Sequence, residues 1–84
     1  MNHFAAPSFW NCYKALPDVV QKLADKNFDL LKTNPSHPSL HFKKVGRYWS
    51  VRVGIEHRAI AAKDNDAFVW FWIGQHDQYD RILR

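Results

Sequence analysis

A cluster of titratable side chains directly follows the most apolar stretch of this chain. Residues 67–73 are apolar without a break, and the residues after them are polar and include His76 and Tyr79. An imidazole takes up and releases protons near neutral pH, so His76 is suited to acid–base chemistry. Because a rigid strand holds the residues that follow it in place, this cluster is a candidate site.

A second group of candidates lies across a predicted hairpin from the first. The strand expected over 57–62 is joined to the apolar strand by the turn-forming residues 63–66. Residues equally far from such a turn lie opposite each other, so His57 and Arg58 should lie near 73–74. The hairpin is therefore expected to bring both basic side chains to the end of the sheet that carries the imidazole.

These residue types would suit the cleavage of RNA without a metal ion. One group must take a proton from the 2′-hydroxyl, another must protonate the leaving oxygen, and cations must stabilise the phosphate. His76 could exchange protons and Arg58 could bind phosphate, joined by Arg52 if the reversal at Gly54 is tight. Tyr79 supplies a phenol, and nearby aromatic rings could stack an unpaired base.

A purely structural interpretation of the same residues is also open. A single histidine after a strand often serves as a hydrogen-bonding group within the fold. Arg58 could pair with Glu56 or Asp77, and Tyr79 could dock the C-terminal segment. The residue types alone therefore leave both interpretations standing.

The N-terminal part of the chain has the spacing of two helices. The first is expected to begin with Ser8 as its N-cap and to end before Pro17, because proline disfavours helical geometry in the residue before it. The second is expected to start at Pro17 and to carry an apolar stripe that ends at Leu31. Together they form a helical hairpin.

After the proline-rich residues 34–39 the pattern changes from helix to strand. The predicted strands are 40–45, 48–53, 57–62 and 67–73. Short connections require them to form an antiparallel meander, to which residues 2–6 could add an edge strand. The fold class is therefore α+β, with an N-terminal helical hairpin packed on a four-stranded or five-stranded antiparallel sheet, in a single domain over 1–84.

One face of this sheet should remain uncovered by the two helices. Clean alternation places Tyr48, Ser50 and Arg52 on it, and the ring of Trp70 or Trp72 could reach it. The polar segment 77–84 is a candidate for a short C-terminal helix. The uncovered face is the expected working surface.

Composition excludes several classes of protein. The chain has 84 residues and a single cysteine, Cys12, so it has no internal disulfide. Its five histidines lack metal-site spacing and there is no glycine-rich phosphate loop, so no metal or cofactor is expected. No apolar run could span a bilayer and no secretory signal is evident, which predicts a cytoplasmic protein without membrane attachment.

The net charge of +4 is unevenly distributed. Basic residues gather between Lys43 and Arg58, while most acidic residues lie in 18–29 and 64–80. A basic patch on strands can attract a polyanion or an acidic protein. A solvated face that only keeps the protein soluble is an equally open interpretation.

The order and spacing of these motifs resemble the RelE/ParE superfamily of bacterial type II toxins, especially its short ParE-like members. The most specific pieces are R-V-G-x-x-x-R at 52–58 and I-G-x-H-x-x-Y at 73–79. The resemblance extends over nearly the whole chain. It implies a small α+β toxin that is neutralised by a cognate antitoxin protein.

The resemblance also implies roles for individual residues. The nuclease branch of the superfamily cuts mRNA on the ribosome with basic residues of the sheet and residues of the C-terminal segment. Arg52 and Arg58 match positions that bind phosphate, and His76 matches a position where several members carry a catalytic His or Arg. Tyr79 lies near a terminal aromatic that stacks on or orients the base. The resemblance implies that Lys43 and Lys44 contact the RNA backbone, and His57, which the hairpin places near the site, is a further candidate RNA-binding residue.

Two other functions remain open at this stage. The ParE branch of the superfamily inhibits DNA gyrase by protein binding and does not depend on such a nuclease set. The chain could also be an inactive descendant whose remaining role is to bind a partner. Nuclease activity, gyrase inhibition and partner binding are therefore the three functional hypotheses.

Overall fold

Two helices, a meander of four strands and two flanking elements make up this computed structural model, which describes residues 2–83. The elements in chain order are β1 (Asn2–Ala5), α1 (Pro7–Lys14), α2 (Asp18–Thr33), β2 (Lys43–Val45), β3 (Tyr48–Val53), β4 (His57–Asp64), β5 (Ala67–Gln75) and α3 (His76–Ile82). The α+β fold class is confirmed. No helix within the described range is long and apolar enough to cross a membrane.

The helical hairpin forms as predicted, but its first helix starts earlier than expected. Helix α1 begins at Pro7, with Ala6 at the N-cap and no side-chain cap. Proline is favoured at the first helical position because its missing N–H needs no partner there. The prediction of Ser8 as N-cap is therefore wrong, and the Ser8 hydroxyl instead donates to the carbonyl oxygen of Phe71 at 2.8 Å.

The sheet has five strands in the spatial order β1-β5-β4-β3-β2. Strands β2 to β5 form the predicted antiparallel meander. The edge strand β1 is present but runs parallel to β5, with Asn2 opposite Ala67 and Ala5 opposite Trp70. A parallel pair needs a long connection, and here most of the chain lies between the two strands. The fully antiparallel five-stranded arrangement is therefore corrected to a mixed sheet.

Strand β2 is shorter than the predicted 40–45 because the residues before it form a turn of 3-10 helix over Pro38–Leu40. Leu40 is fully buried, and proline favours the first position of a helical turn. His41 then adopts a left-handed conformation with φ of 45°. This turn removes His41 from the strand.

The core lies between the helical hairpin and one face of the sheet. Every second residue of the strands contributes its side chain to the core, and the apolar side chains of the helices cover the core on its other side. The buried members include Ala24, Leu31, Leu40, Val51, Val53, Ala59, Ala61, Phe68, Trp70 and Ile73. The opposite face of the sheet, called here the open face, carries the other set of alternating residues, and α3 packs there against β4 and β5.

A β-bulge in β5 sets which residues reach the open face. Ile60 pairs with Trp72 and Ala61 pairs with Trp70, so Phe71 is an extra residue that reverses the alternation. Trp70 is therefore buried in the core and Trp72 lies on the open face. With this bulge Arg58 pairs with Gly74, within the predicted range 73–74, and His57 pairs with Gln75.

Candidate functional site

A polar cavity of about 290 Å³ lies between the open face and α3. It is lined by His41, Lys43, Ser50, Arg52, Arg58, His76, Tyr79 and Asp80. The structure thus brings together all four residues predicted to be catalytic and one of the three predicted to bind RNA. Three of the lining residues are basic Lys or Arg and one is acidic.

Arg52 and Arg58 lie directly opposite each other on β3 and β4. Like charges in cross-strand pairs destabilise each other unless an anion lies between them. Burial, followed by the positive charge of Arg52, lowers the pKa of Arg58. Neither guanidinium forms an ion pair among residues 2–83, and the buried Nε of Arg52 has no hydrogen-bond partner there. This pair of arginines is well suited to bind a phosphate.

Arg58 also holds the loop between β3 and β4. Its Nη1 donates to the carbonyl oxygens of Gly54 at 3.3 Å, Ile55 at 3.1 Å and His57 at 2.7 Å. The tight reversal that brings Arg52 to the cavity is therefore fixed by the other arginine. Arg58 has a structural role in addition to any role toward a ligand.

Gly54 allows this reversal. Its φ of +68° favours glycine, and a Cβ there would lie 2.7 Å from Cδ2 of Leu23 on α2. The helical hairpin thus supports the loop from the side opposite the cavity.

The same loop positions His76 at the start of α3. The His76 backbone N–H donates to the Glu56 carbonyl oxygen at 2.8 Å. The Glu56 carboxylate oxygen Oε2 lies 3.7 Å from the imidazole Nε2, and the His76 side chain is 47% exposed. The imidazole is therefore held at the rim of the cavity with access to solvent.

Tyr79 anchors α3 to the sheet. Its hydroxyl donates to Oγ of Ser50 at 3.0 Å, and Ser50 is only 2% exposed. The start of α3 also packs closely on β5, because a Cβ at Gly74 would lie 2.6 Å from the Trp72 ring and 3.1 Å from Oε1 of Gln78. Tyr79 lines the cavity, but its phenol is occupied by this bond, as in the docking interpretation of the sequence.

Two predicted RNA-binding residues are not brought to the cavity. Lys44 pairs with Trp49, and His57 pairs with Val53 and Gln75, on the face that the helices cover. Successive residues of a strand point to opposite faces, so His57 cannot share the face of Arg58. Strict use of this alternation would have separated the two from sequence alone.

Two lining residues, His41 and Asp80, were not predicted as site members. His41 was assigned to a strand, and only its left-handed conformation brings it to the cavity. Asp80 lies four residues after His76 on α3, the spacing that places two side chains on one helix face. Helical spacing was the available signal for Asp80, whereas no local signal was available for His41.

The cavity offers proton exchange and phosphate binding. Among residues 2–83 there is no group of three His, Cys, Asp or Glu side chains that could hold a metal ion. Arg52 and Arg58 line the cavity together with His76, whose side chain is the more exposed. The arrangement can bind a phosphodiester and transfer a proton at one of its oxygens.

Solved structures with the same fold are toxins of toxin–antitoxin systems. A chain of the RelB–RelE antitoxin–toxin complex from Methanococcus jannaschii superposes with a TM-score of 0.74 at 16% identity, over 96% of this chain and 99% of that chain. The YoeB/ParE toxin from Agrobacterium tumefaciens gives 0.68 at 18% identity, over 90% and 99%. YafQ from E. coli gives 0.64 at 14% identity, over 93% and 96%.

These comparisons establish the fold. It is the fold that the resemblance to the RelE/ParE superfamily predicted, and it extends over nearly the whole of each chain. No protein-family model and no curated protein matches the sequence.

Proposed function

We propose that this protein is the toxin of a type II toxin–antitoxin system and that it cleaves mRNA on the ribosome without a metal ion. The observation that carries the proposal is the cavity on the open face, in which Arg52, Arg58 and His76 meet. The shared fold with RelE, YoeB and YafQ toxins supports it. A protein with this activity works in the cytoplasm, where ribosomes translate mRNA.

The two arginines bind and stabilise the phosphate in this mechanism. The scissile phosphate lies over the cross-strand pair, because both arginines line the cavity. As the 2′-oxygen attacks phosphorus, negative charge increases on the phosphoryl oxygens. Fixed guanidinium groups in a partly buried cavity stabilise that charge more strongly than water does.

His76 acts in proton transfer. The 2′-hydroxyl loses a proton when its oxygen attacks, and the 5′-oxygen gains one when its bond to phosphorus breaks. The imidazole at the cavity rim transfers one of these two protons. The Glu56 carboxylate orients the ring from its Nε2 side, and the backbone bond to Glu56 fixes the residue at the start of α3.

The remaining predicted residues have smaller roles in the proposal. Lys43 lies on the open face opposite Ser50 and contacts the RNA backbone beside the cavity. Tyr79 positions α3, and thereby His76, through its bond to Ser50. Lys44 and His57 lie on the other face of the sheet and have no role in this mechanism.

Purified protein incubated with translating ribosomes tests the proposal. Wild type is expected to cut the message, while Arg52→Ala and His76→Ala each lower the rate by about 100-fold or more, the scale of general acid–base or electrostatic contributions. Lys44→Ala removes a lysine of the opposite face and is the matched control, with an unchanged rate. Arg58→Ala is a poor test because it also releases the loop at Gly54.

Two results would contradict the proposal. One is an Arg52→Ala, His76→Ala double variant that cuts at the wild-type rate. The other is inhibition of DNA supercoiling by gyrase together with an absence of mRNA cleavage, which would support the gyrase hypothesis instead.

We also propose that an apolar cleft on the helix side receives the cognate antitoxin. A cavity of about 270 Å³ opens between α1, α2 and the sheet, and apolar side chains dominate its lining. The large side chains of Phe4, Trp10 and Phe28 border it and are 59%, 47% and 41% exposed. Exposed apolar patches of this kind commonly mark protein interfaces.

His3 is a polar residue in the lining of this cleft. Trp70 Nε1, which can only donate, bonds to His3 Nδ1 at 3.0 Å, so the imidazole proton must be on Nε2. That buried Nε2 has no partner within the described part of the chain. Co-purification of this protein with the product of an adjoining reading frame tests the antitoxin proposal. Phe28→Glu places a charge in the cleft and is expected to weaken that co-purification.

A further inference from the structure

An aromatic pair lies on the open face beside the cavity. The rings of Tyr48 and Phe71 have centroids 5.2 Å apart at an interplanar angle of 61°. Tyr48 is two residues from Ser50 on the same face of β3, a separation of about 7 Å along a strand. Phe71 is the extra residue of the β-bulge. The bulge thus supplies a ring that a regular strand would not place there.

Neither ring of this pair belongs to the hydrophobic core. Both residues are half-buried, and no hydrogen bond of the Tyr48 hydroxyl occurs between residues 2 and 83. The ring of Trp72, by contrast, packs closely against Gly74 and so contributes to the packing of the fold. Tyr48 and Phe71 are therefore available for contact with a ligand.

Positive charge accompanies the pair. The Arg47 guanidinium carbon lies 5.5 Å from the centroid of the Tyr48 ring. Lys43 and Arg52 line the adjoining cavity. A basic groove with aromatic side chains on which bases stack is the combination that binds single-stranded nucleic acid.

We propose that Tyr48, supported by Phe71 and Arg47, is a stacking subsite for an unpaired base of the RNA strand next to the cleaved phosphate. The proposal rests on the proposed function, because the phosphate over Arg52 and Arg58 fixes where the neighbouring nucleotide can reach. The subsite continues the cationic cavity along β3. Its ligand is single-stranded RNA, held by a base face and a phosphate together.

Cleavage of ribosome-bound mRNA by a matched series of variants tests the subsite. Tyr48→Leu keeps apolar bulk but removes the ring, and it is expected to lower kcat/KM by about 5- to 100-fold, the range for loss of one base–aromatic stack. Tyr48→Phe keeps the ring and is expected to stay within about twofold of wild type. Circular dichroism of each variant shows whether the fold is retained.

Messages with one abasic nucleotide at successive positions around the cut site locate the stacked base. Wild type is expected to cleave the message more slowly when the abasic nucleotide lies at one particular position near the cut. Tyr48→Leu should show no further loss at that position, because the stack is already absent. Equal losses in both proteins at every position would overturn the subsite.

The outcomes separate this subsite from the proposed function. Loss of cleavage in Arg52→Ala with full cleavage in a folded Tyr48→Leu would overturn the subsite and leave the nuclease standing. A wild-type protein that cuts no RNA would overturn both. Weakened antitoxin binding by Tyr48→Leu, with RNA cleavage unchanged, would assign the aromatic pair to a protein partner and overturn the RNA subsite.

Discussion

On the helix-covered face of the sheet, Val51, Ala59 and Ile73 are 6%, 4% and 3% exposed and pack into the core. Across the sheet, their strand neighbours Arg52 and Arg58 face each other with no ion pair in the described chain. The first face contributes apolar side chains to the core, whereas the second carries charged side chains that line a cavity. Arg58 on the second face also bonds to the carbonyl oxygens of its own loop, so this face contributes to stability as well as to the site.

The two faces are linked at the loop between β3 and β4. The loop at Gly54 rests on Leu23 of the helical hairpin, while its carbonyl groups accept bonds from Arg58. Glu56 in the same loop holds the backbone of His76. Changes far from this loop should therefore affect one face only, whereas changes in the loop should affect both.

The largest effect on stability is expected for Leu31→Ala. Leu31 is 2% exposed in the core, and its truncation should lower the free energy of unfolding by about 2–5 kcal/mol. The rate of cleavage per folded molecule should not change, because Leu31 does not line the polar cavity. Val19→Ala, at a side chain on the same helix that is 74% exposed, is the control and should change stability by less than about 0.5 kcal/mol.

A smaller effect that reaches both faces is expected for Gly54→Ala. The positive φ and the contact with Leu23 together should cost about 1–3 kcal/mol in chemical denaturation. Cleavage should also slow, because the loop positions Arg58 and His76. Gly46→Ala has a similar φ of +61° with nothing within 4 Å, so it isolates the backbone strain. Equal effects of the two changes on stability and cleavage would disprove the link through the loop.

Tyr79→Phe tests how α3 is held on the open face. Loss of the hydroxyl leaves the buried Ser50 Oγ without its partner and should cost about 1–2 kcal/mol of unfolding free energy. Tyr48→Phe removes a hydroxyl that makes no such bond and serves as the control. If both changes had the same small effect on the melting temperature, the bond to Ser50 would not be what anchors the helix.

The smallest effect is expected from the titration of His3 on the helix side. Burial lowers the pKa of His3 below its ordinary value of 6.5, so the unfolded chain takes up a proton before the folded one does. Stability from this group is complete above pH 6.5 and decreases as the pH falls below it. His3→Gln can still accept from Trp70 but does not titrate. The melting temperatures of wild type and variant are measured between about pH 7.5 and about pH 5. Equal changes in the two proteins over this range would contradict the expectation.

Much of the fold could be predicted because local sequence patterns indicate its helices and central strands. Alternation along 48–53 and the apolar run 67–73 indicated the central strands, and Pro17 marked the break between the helices. The direction of β1 could not be predicted, since it depends on which neighbour it meets across the whole chain. The bulge at Phe71 also escaped prediction, because an apolar run covered on both faces hides a change in alternation.

The candidate site was predicted less completely than the fold. The grouping of Arg52, Arg58 and His76 followed from hairpin register and short loops. The bonds that Arg58 makes to loop carbonyls and the approach of His41 depend on side-chain reach and on one left-handed residue. Such details arise from tertiary packing, and no periodic pattern in the sequence indicates them.

The chemistry of the RNA ends tests the central claim most directly. Attack by the 2′-oxygen with His76 and the two arginines predicts cut messages with a 2′,3′-cyclic phosphate on one fragment and a 5′-hydroxyl on the other. A message with a 2′-deoxynucleotide at the cut position should remain intact. Fragments with 5′-phosphate ends, or cleavage of the deoxy-substituted message, would contradict the account.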